Sequence, residues 1–366
     1  MLEPRALEFF IQNSDKIESF LDKLKNVENF PTIITLDFIK SLLQESLFEI
    51  EEIKKRTIYK TSVSVEDISK ILIERYEKIK SFFSYRLDIV NLISINKISE
   101  KTRKFSLIVI VREIDKQNKT ILVEDLTGEI IIHIPDNLIN YLVQDEVIGL
   151  SCERRDGELW AANILWPDVP LKRSIRNLEE DVYCLFASKN ILEKECEEIL
   201  GEIKKLNFKF LFVFLFLDDI LEREKIEEIQ KKLPLNSKLI LITNQNFEGI
   251  LSFSSPAFLA LEKKIVLLLI EGKFLSNYEN LGKDCGEIML NLLKKRHLNP
   301  IFRIENLIME DRFLIDPIPD IFVSANFGSS SLINYKGITI ISCGSSEKLF
   351  WIVNLKTRES LKISLT

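Results

Sequence analysis

Residues Phe208–Asp219 read FKFLFVFLFLDD, a run that is apolar without a break from Phe210 to Leu217 and then closes on two acids. It is far too short to cross a bilayer, and so is IVLLLI at Ile265–Ile270. Nor does it alternate, as a strand with one wet face would. Short apolar runs of this kind fit strands covered on both faces. The neighbouring segments agree. VYCLFAS (Val182–Ser188) leads into the helical pattern EKECEEILGEIKKL, FKFLFVFLFLDD into REKIEEIQKKL, and KLILITNQ and KKIVLLLIEG are followed by GEIMLNLLKKRHL. The chain then becomes strand-rich, with DIFVSAN, GITIISCG and LFWIVNL. Residues 173–366 therefore predict an α/β domain whose later strands build a second sheet edge or layer.

Upstream the hydrophobic period changes. From 88 to 172 it is two: KFSLIVIVREI, KTILVEDL, GEIIIHIP, DEVIGLSCERR and ELWAANILW are short strands between polar turns. Five such strands predict a small barrel of the oligonucleotide/oligosaccharide-binding (OB-fold) type. Residues 66–87 carry an amphipathic helix with the stripe Ile68, Ile71, Leu72, Tyr76 and Ile79. The polar stretch 51–65 reads as a linker, and 1–50 as a helical region in which Thr35 is a candidate N-cap. The whole is a multidomain α+β chain.

Composition narrows the function. With 366 residues the chain exceeds one ordinary core, and 46% hydrophobic with 29% charged residues is a globular balance. The opening MLEPRALEFF mixes acid and base before any apolar run, unlike a signal peptide, so a cytoplasmic chain without a membrane partner is expected. Five cysteines are dispersed with no CxxC pair, which points to packed thiols in a reducing compartment. Two histidines, His133 and His297, are too few for a histidine-built metal centre, and 11 glycines contain no phosphate-binding loop. The net charge of −6 speaks against coating a polyanion.

The strand KLILITNQNF (Lys238–Phe247) raises the functional question. Groups just past the carboxyl end of a buried strand are where α/β proteins usually do chemistry. Here the groups are amides, which are poor general bases and poor metal ligands.

A resemblance supplies the context. ILWPDVPLKR (Ile164–Arg173), LVEDLTGEI in the barrel, LLKKRHLNPIF (Leu292–Phe302), FLIDPIPDIF (Phe313–Phe322) and YKGITIISCG (Tyr335–Gly344) resemble, in order and spacing, the small subunit of the archaeal D-family DNA polymerase. The match runs from about residue 66 to the end. Within it stand Trp166, Pro167, Asp168, Arg296, His297, Pro300, Pro319 and Asp320. The family is similar in architecture to the B subunits of eukaryotic replicative polymerases. The resemblance implies a helical N-terminal region, an OB-fold barrel and a calcineurin-like metallophosphoesterase α/β sandwich. In active members that last domain is a 3′-5′ exonuclease holding two metals, which clamp the attacking and leaving oxygens.

Carried over residue by residue, the resemblance implies an emptied site. Where the first strand should end in Asp-x-His, this chain has Ser188 and Asn190. Where the second should end in Gly-Asp, it has Leu215 and Phe216 or a neighbouring apolar pair. Gly-Asn-His-Asp becomes Thr243, Asn244, Gln245 and Asn246; His-Gly becomes Glu271 and Gly272; Gly-His-x-His becomes Ala325, Asn326, Phe327 and Gly328. Hydroxyl, amide and phenyl groups do not hold two hard cations. No catalytic residue, metal or cofactor is therefore expected.

Each remaining polar group has a plainer reading. Asp218 and Asp219 are either surviving ligands or the N-cap and first-turn charge of the next helix, the reading preferred here. Glu271 reads as a solvated or paired loop carboxylate. His297 is taken as an orienting or packing histidine at a helix end, and Lys294, Lys295 and Arg296 as charges favourable at a helix C-terminus. His133 is expected half-exposed on a barrel strand. Trp160 and Trp166 could stack bases, but Leu92–Lys172 holds 10 Lys/Arg against 13 Asp/Glu, a net of −3, and single-strand grooves need a positive track. They are assigned to a core or a protein interface.

The function expected is a non-catalytic scaffold that binds a large catalytic polymerase subunit in DNA replication and meets DNA only indirectly through the complex. The alternatives are a residual phosphoesterase using Asp218, Asp219, Asn244 and Glu271, and a stand-alone single-stranded DNA-binding barrel.

Overall fold

The computed structural model describes residues 2–14, 16–24, 31–43, 48–54, 64–188, 196–206, 208–217, 223–234, 236–245, 247, 249–301, 311–345 and 348–365. Three helices, α1 (Pro4–Gln12), α2 (Lys16–Leu24) and α3 (Leu36–Leu43), pack on one another around Ala6, Phe20, Ile39 and Leu42. Thr35 Oγ1 accepts from the Phe38 amide at 3.2 Å, as its reading as an N-cap requires.

The expected linker is corrected at its start. Ile50–Glu52 forms a strand, β1, paired antiparallel with Leu259–Leu261 of the α/β domain, and Phe48 enters the core of that domain. An Ile-Glu-Glu stretch pairs through its backbone, which polarity alone does not reveal. Most of the rest of the linker, 55–63, lies outside the described residues.

Helix α4 (Val65–Phe82) begins at a reciprocal capping box between Ser64 and Asp67. It lies on the barrel, which comprises β2 (Lys104–Asp115), β3 (Thr120–Asp125), β4 (Gly128–His133), a one-turn helix α5 (Asp136–Ile139), β5 (Val147–Arg155) and β6 (Glu158–Leu165). The five strands close in the order β2-β3-β4-β6-β5. The pleat of β2 shows why this strand lacks simple alternation. Phe105, Leu107, Val109 and Val111 fill the barrel, while Ile108 and Ile110 face Tyr76, Ile79, Phe82 and Phe83 at the end of α4. The Tyr76 hydroxyl donates to the Ile108 carbonyl at 2.8 Å.

The α/β domain is built from β7 (Val182–Ser188), α6 (Cys196–Lys204), β8 (Phe210–Phe216), α7 (Arg223–Lys232), β9 (Ser237–Ile242), β10 (Leu251–Phe253), β11 (Ala257–Leu261), β12 (Ile265–Glu271), α8 (Cys285–Lys295) and β13 to β17 (Ile321–Ala325, Ser330–Tyr335, Ile338–Cys343, Leu349–Asn354 and Ser360–Ser364). Two six-stranded sheets result, ordered β10-β9-β8-β7-β16-β17 and β1-β11-β12-β13-β15-β14. On β8, Phe210, Phe212, Phe214 and Phe216 point into the core between the sheets. Leu211, Val213 and Leu215 point outward onto Ile199 and Ile203 of α6 and Ile226 and Ile229 of α7. The unbroken apolar run at Phe210–Leu217 thus has a cover on each face. The outer face of the second sheet is covered by α8, with Ile288, Met289 and Leu292 over Leu268, Phe322 and Ile340. Strands β10, β11, β14 and β17 and the 3₁₀ stretch Gly272–Leu281 were not legible as elements, being short and without distinctive punctuation.

No helix among the described residues is long and apolar enough to cross a membrane. The described cysteines Cys152, Cys184, Cys285 and Cys343 are free and buried. Burial pushes the Cys152 thiol up to about 12, so it packs as a small hydrophobe.

Candidate functional site

The carboxyl ends of the parallel strands converge. Ser188 is the cross-strand neighbour of Phe216, and Phe216 of Ile242, immediately before Thr243, Asn244 and Gln245. In the other sheet Glu271 is paired with Ala325, immediately before Asn326. The amide of Asn326 reaches across and donates to the Phe216 carbonyl at 3.3 Å, so the two sets of strand ends meet. Asn326 has a left-handed backbone (φ 67°), a conformation that asparagine tolerates well. Gly272 is held by space: a Cβ there would sit 2.4 Å from both the Ala325 carbonyl oxygen and the Phe327 Cβ. The backbone frame is tight where the chemistry is thin.

The side chains at this meeting point are mostly spent on internal contacts. Phe216 is fully buried in the inter-sheet core. Thr243 Oγ1 accepts from the Gln245 amide at 3.2 Å, and Asn244 is exposed. Glu271, expected to be a solvated or paired loop carboxylate, is paired, 2.6 Å from the Lys273 ammonium, but it is buried at a strand end and not in a loop; its own amide donates to Ser255 Oγ at 2.9 Å. The last residue of a strand inside a sheet is not loop, and the sequence carries no sign that a lysine two positions on will fold back. Cys285 donates to the Phe327 carbonyl at 3.3 Å and stands where a Cβ on Gly328 would fall; neither Cys285 nor Ser255 had a sequence signal. Asn190, Asp218, Asp219 and Asn246 lie outside the described residues. Among the described residues no group of three or more His, Cys, Asp or Glu could hold a metal.

The polar groups of the family-like motifs gather elsewhere, where the barrel meets the α/β domain. Lys295 and Arg296 stand at the helix C-terminus as expected, and both are buried there. The Lys295 ammonium donates to Glu146 Oε2 at 2.6 Å and to the Tyr141 carbonyl at 2.7 Å, and Trp166 Nε1 donates to the same Glu146 oxygen at 3.1 Å. Burial raises Glu146 and lowers Lys295, while each opposes that shift in the other. Arg296 ends α8 in a left-handed C-cap; its guanidinium donates to the Ile315 carbonyl at 2.8 Å and lies 4.0 Å from the Phe82 ring centroid. Lys294 contributes its carbonyl, which accepts from the Asp168 amide at 2.7 Å. Asp168 in turn accepts from the Tyr335 hydroxyl at 2.9 Å and from Lys336 at 2.6 Å.

His297 is buried, as a packing histidine would be, but it belongs to a larger network. Its Nε2 lies 2.8 Å from Asp311, which also takes a hydrogen bond from Arg75 of α4. Arg75 Nη1 donates to the Pro300 carbonyl at 2.9 Å. Burial works to raise the Asp311 carboxyl, but His297 and Arg75 outweigh it and hold the group well below the usual carboxylate range. Arg75 was missed because it interrupts the apolar stripe of α4. Pro167 and Pro319 are buried in this frame, and Asp320 is fully enclosed.

Beside the junction lies a groove of about 830 Å³, lined in part by Phe82, Arg86, Leu87, Pro167, Val169 and Leu171. Leu87 is 96% exposed, Leu171 85% and Val90 70%. Trp166 is half-buried against Lys295 at this junction. Trp160 is on the outer surface of the barrel, stacked on His133 at 4.4 Å between ring centroids, and is not part of the barrel core.

No protein-family model matches the chain. Two curated archaeal proteins do match it. The DNA polymerase II small subunit of Thermoplasma acidophilum is 22% identical over an alignment of 353 positions, covering 77% of this chain and 71% of that protein. The DNA polymerase II small subunit of Archaeoglobus fulgidus is 22% identical and covers 93% of this chain and 88% of that protein. Over most of its length the chain is similar to archaeal DNA polymerase II small subunits. Both matches extend beyond any single domain, so the likeness takes in barrel and α/β sandwich together. Among solved structures, a Vps29 mutant from Entamoeba histolytica aligns with 50% of this chain at 9% identity and a TM-score of 0.28. Vacuolar Protein Sorting 29 from Cryptosporidium parvum aligns with 51% at 11% identity and 0.26.

Proposed function

We propose that this chain is a non-catalytic accessory subunit of an archaeal DNA polymerase, acting in replication by binding the large catalytic subunit. The observation that carries the proposal is the match to DNA polymerase II small subunits over 93% of the chain, joined to strand ends occupied by Ser188, Phe216, Asn244, Gln245 and Asn326. In this reading the barrel is an OB-fold and the two-sheet domain a calcineurin-like phosphoesterase whose metal site has been emptied. Phe216 and the Asn326–Phe216 hydrogen bond take the place of a wet, ligand-lined cavity. Placement in the cytoplasm follows from a replication role.

The docking surface in this reading is the groove beside the junction, with Leu87 and Leu171 as apolar anchors. Monomeric proteins seldom leave large side chains exposed together without a partner. The Glu146–Lys295 and Asp311–His297–Arg75 networks hold the barrel, α4 and the sandwich in one geometry, which is what a scaffold has to supply. The test is co-expression with the large subunit, followed by co-purification in high salt and a manganese-dependent nuclease assay on the lone chain. Co-purification without nuclease activity is the expected result. Robust cleavage by the lone chain would instead favour the residual phosphoesterase.

A further inference from the structure

At the opposite end of the sandwich from the strand ends, three arginines surround one carboxylate. Asp320 precedes β13 and is 1% exposed. Its Oδ1 accepts from Arg173 Nη2 at 2.5 Å and from Arg176 Nε at 3.1 Å, and its Oδ2 accepts from the Val266 amide at 2.8 Å. Its backbone carbonyl accepts from Arg358, on the turn between β16 and β17. Three guanidinium charges therefore meet one carboxylate.

The donors also outnumber their acceptors. Arg173 Nη1 and Arg358 Nε and Nη1 are enclosed and have no hydrogen-bond acceptor among the described residues. A buried charged donor without an acceptor is costly, and native structures rarely leave one so. Burial presses both Arg173 and Arg358 below their ordinary pKa, and the neighbouring guanidiniums add to the effect. A simple latch for the barrel-exit segment would need Arg173 and Asp320 only. The third arginine and the unfilled guanidinium faces go beyond that.

We propose that Arg173, Arg176 and Arg358 form a phosphate site. The surplus of two positive charges matches the dianion of inorganic phosphate or a phosphate monoester better than a carboxylate or a phosphodiester, each of which brings one negative charge. Planar guanidinium forks suit phosphate oxygens in pairs. Arg176 is 34% exposed at its side chain and Arg173 12%, so solvent reaches Arg176 more readily. The site is separate from the strand ends, because Asp320 and Ala325 lie at opposite ends of β13.

The test is thermal unfolding of the full chain with sodium phosphate, against sodium chloride at matched ionic strength. Saturating phosphate should raise the melting temperature by about 3 °C or more through linkage, and chloride should not. Arg358→Asn keeps a residue suited to the left-handed backbone at that turn (φ 66°) and removes the charge. Arg176→Gln alters a residue more exposed than Arg173 and guards against a folding defect. Both variants should lose most of the phosphate shift. A 5′-phosphorylated oligonucleotide compared with its unphosphorylated twin separates a DNA end from free phosphate as the source. Equal shifts with phosphate and chloride, or a full phosphate shift in both variants, would overturn the site. So would an equal response to an acidic peptide.

Discussion

Two regions of this molecule contrast. At the strand ends, where an α/β fold commonly gathers reactive groups, the described side chains are hydroxyls, phenyl rings, amides and one carboxylate already paired with Lys273. At the barrel junction, where helix-end charges would ordinarily be solvated, lysine, glutamate, arginine, histidine and aspartate are buried and joined. The difference teaches where the fold's polar interactions are concentrated. A buried ion pair gains little stability over an apolar pair of similar shape, but it tolerates few alternative geometries. In this molecule those pairs fix how the barrel sits on the sandwich, and the strand ends contribute packing.

The comparison breaks most sharply at Phe216. Phe216→Asp removes a fully buried ring and places a carboxylate in an apolar core, so it should destabilise the domain by about 4 kcal/mol or more, with no nuclease activity gained. Denaturant unfolding and a manganese-dependent assay read the two parts. A stable variant that cleaves DNA would show that the strand ends lacked only one ligand.

Lys295→Met leaves Glu146 enclosed without its cation and should cost about 3–5 kcal/mol. Adding Glu146→Gln should recover much of that loss in a double-mutant cycle. If Lys295→Met alone is neutral, the junction is no more specified than the strand ends.

Asp311 sharpens the same point through pH. Its folded-state pKa is depressed, so the stability it contributes is complete above its unfolded value of about 3.9 and is lost as pH falls through the folded value. Asp311→Asn should cost about 3 kcal/mol at neutral pH, leaving Arg75 without its carboxylate, and should flatten the stability profile below about pH 4. An unchanged acid limb would remove Asp311 from the network that orders α4.

Leu87→Ser with Leu171→Ser should alter stability by no more than about 0.5 kcal/mol, since both side chains are exposed, yet weaken co-purification with the large subunit. Retained co-purification in high salt would move the docking surface elsewhere. The smallest effect is expected of Asn244→Asp, within about 0.5 kcal/mol and without stoichiometric manganese uptake by titration.

Much of this protein was legible in the residues alone. The uninterrupted Phe210–Leu217 run required cover on both faces, and the two sheets and their helices supply it. The short apolar segments between polar turns from Lys104 to Leu165 marked all five barrel strands, although β2, covered on both faces, does not alternate simply. The side-chain types at Ser188, Phe216, Asn244 and Asn326 could be read directly, and their chemistry does not depend on folding. Other features were decided only by the tertiary structure. Ile50–Glu52 became a sheet edge because an open strand at Ala257–Leu261 offered backbone partners more than 200 residues away. Lys295 and Arg296 look like ordinary helix-end cations until Glu146, Trp166 and Phe82 close over them from the barrel and α4. Arg75 meets Asp311, and Arg358 meets Asp320, across separations that no local pattern spans. Charge is written residue by residue, but whether it is solvated, paired or left in surplus depends on what the folded chain brings beside it.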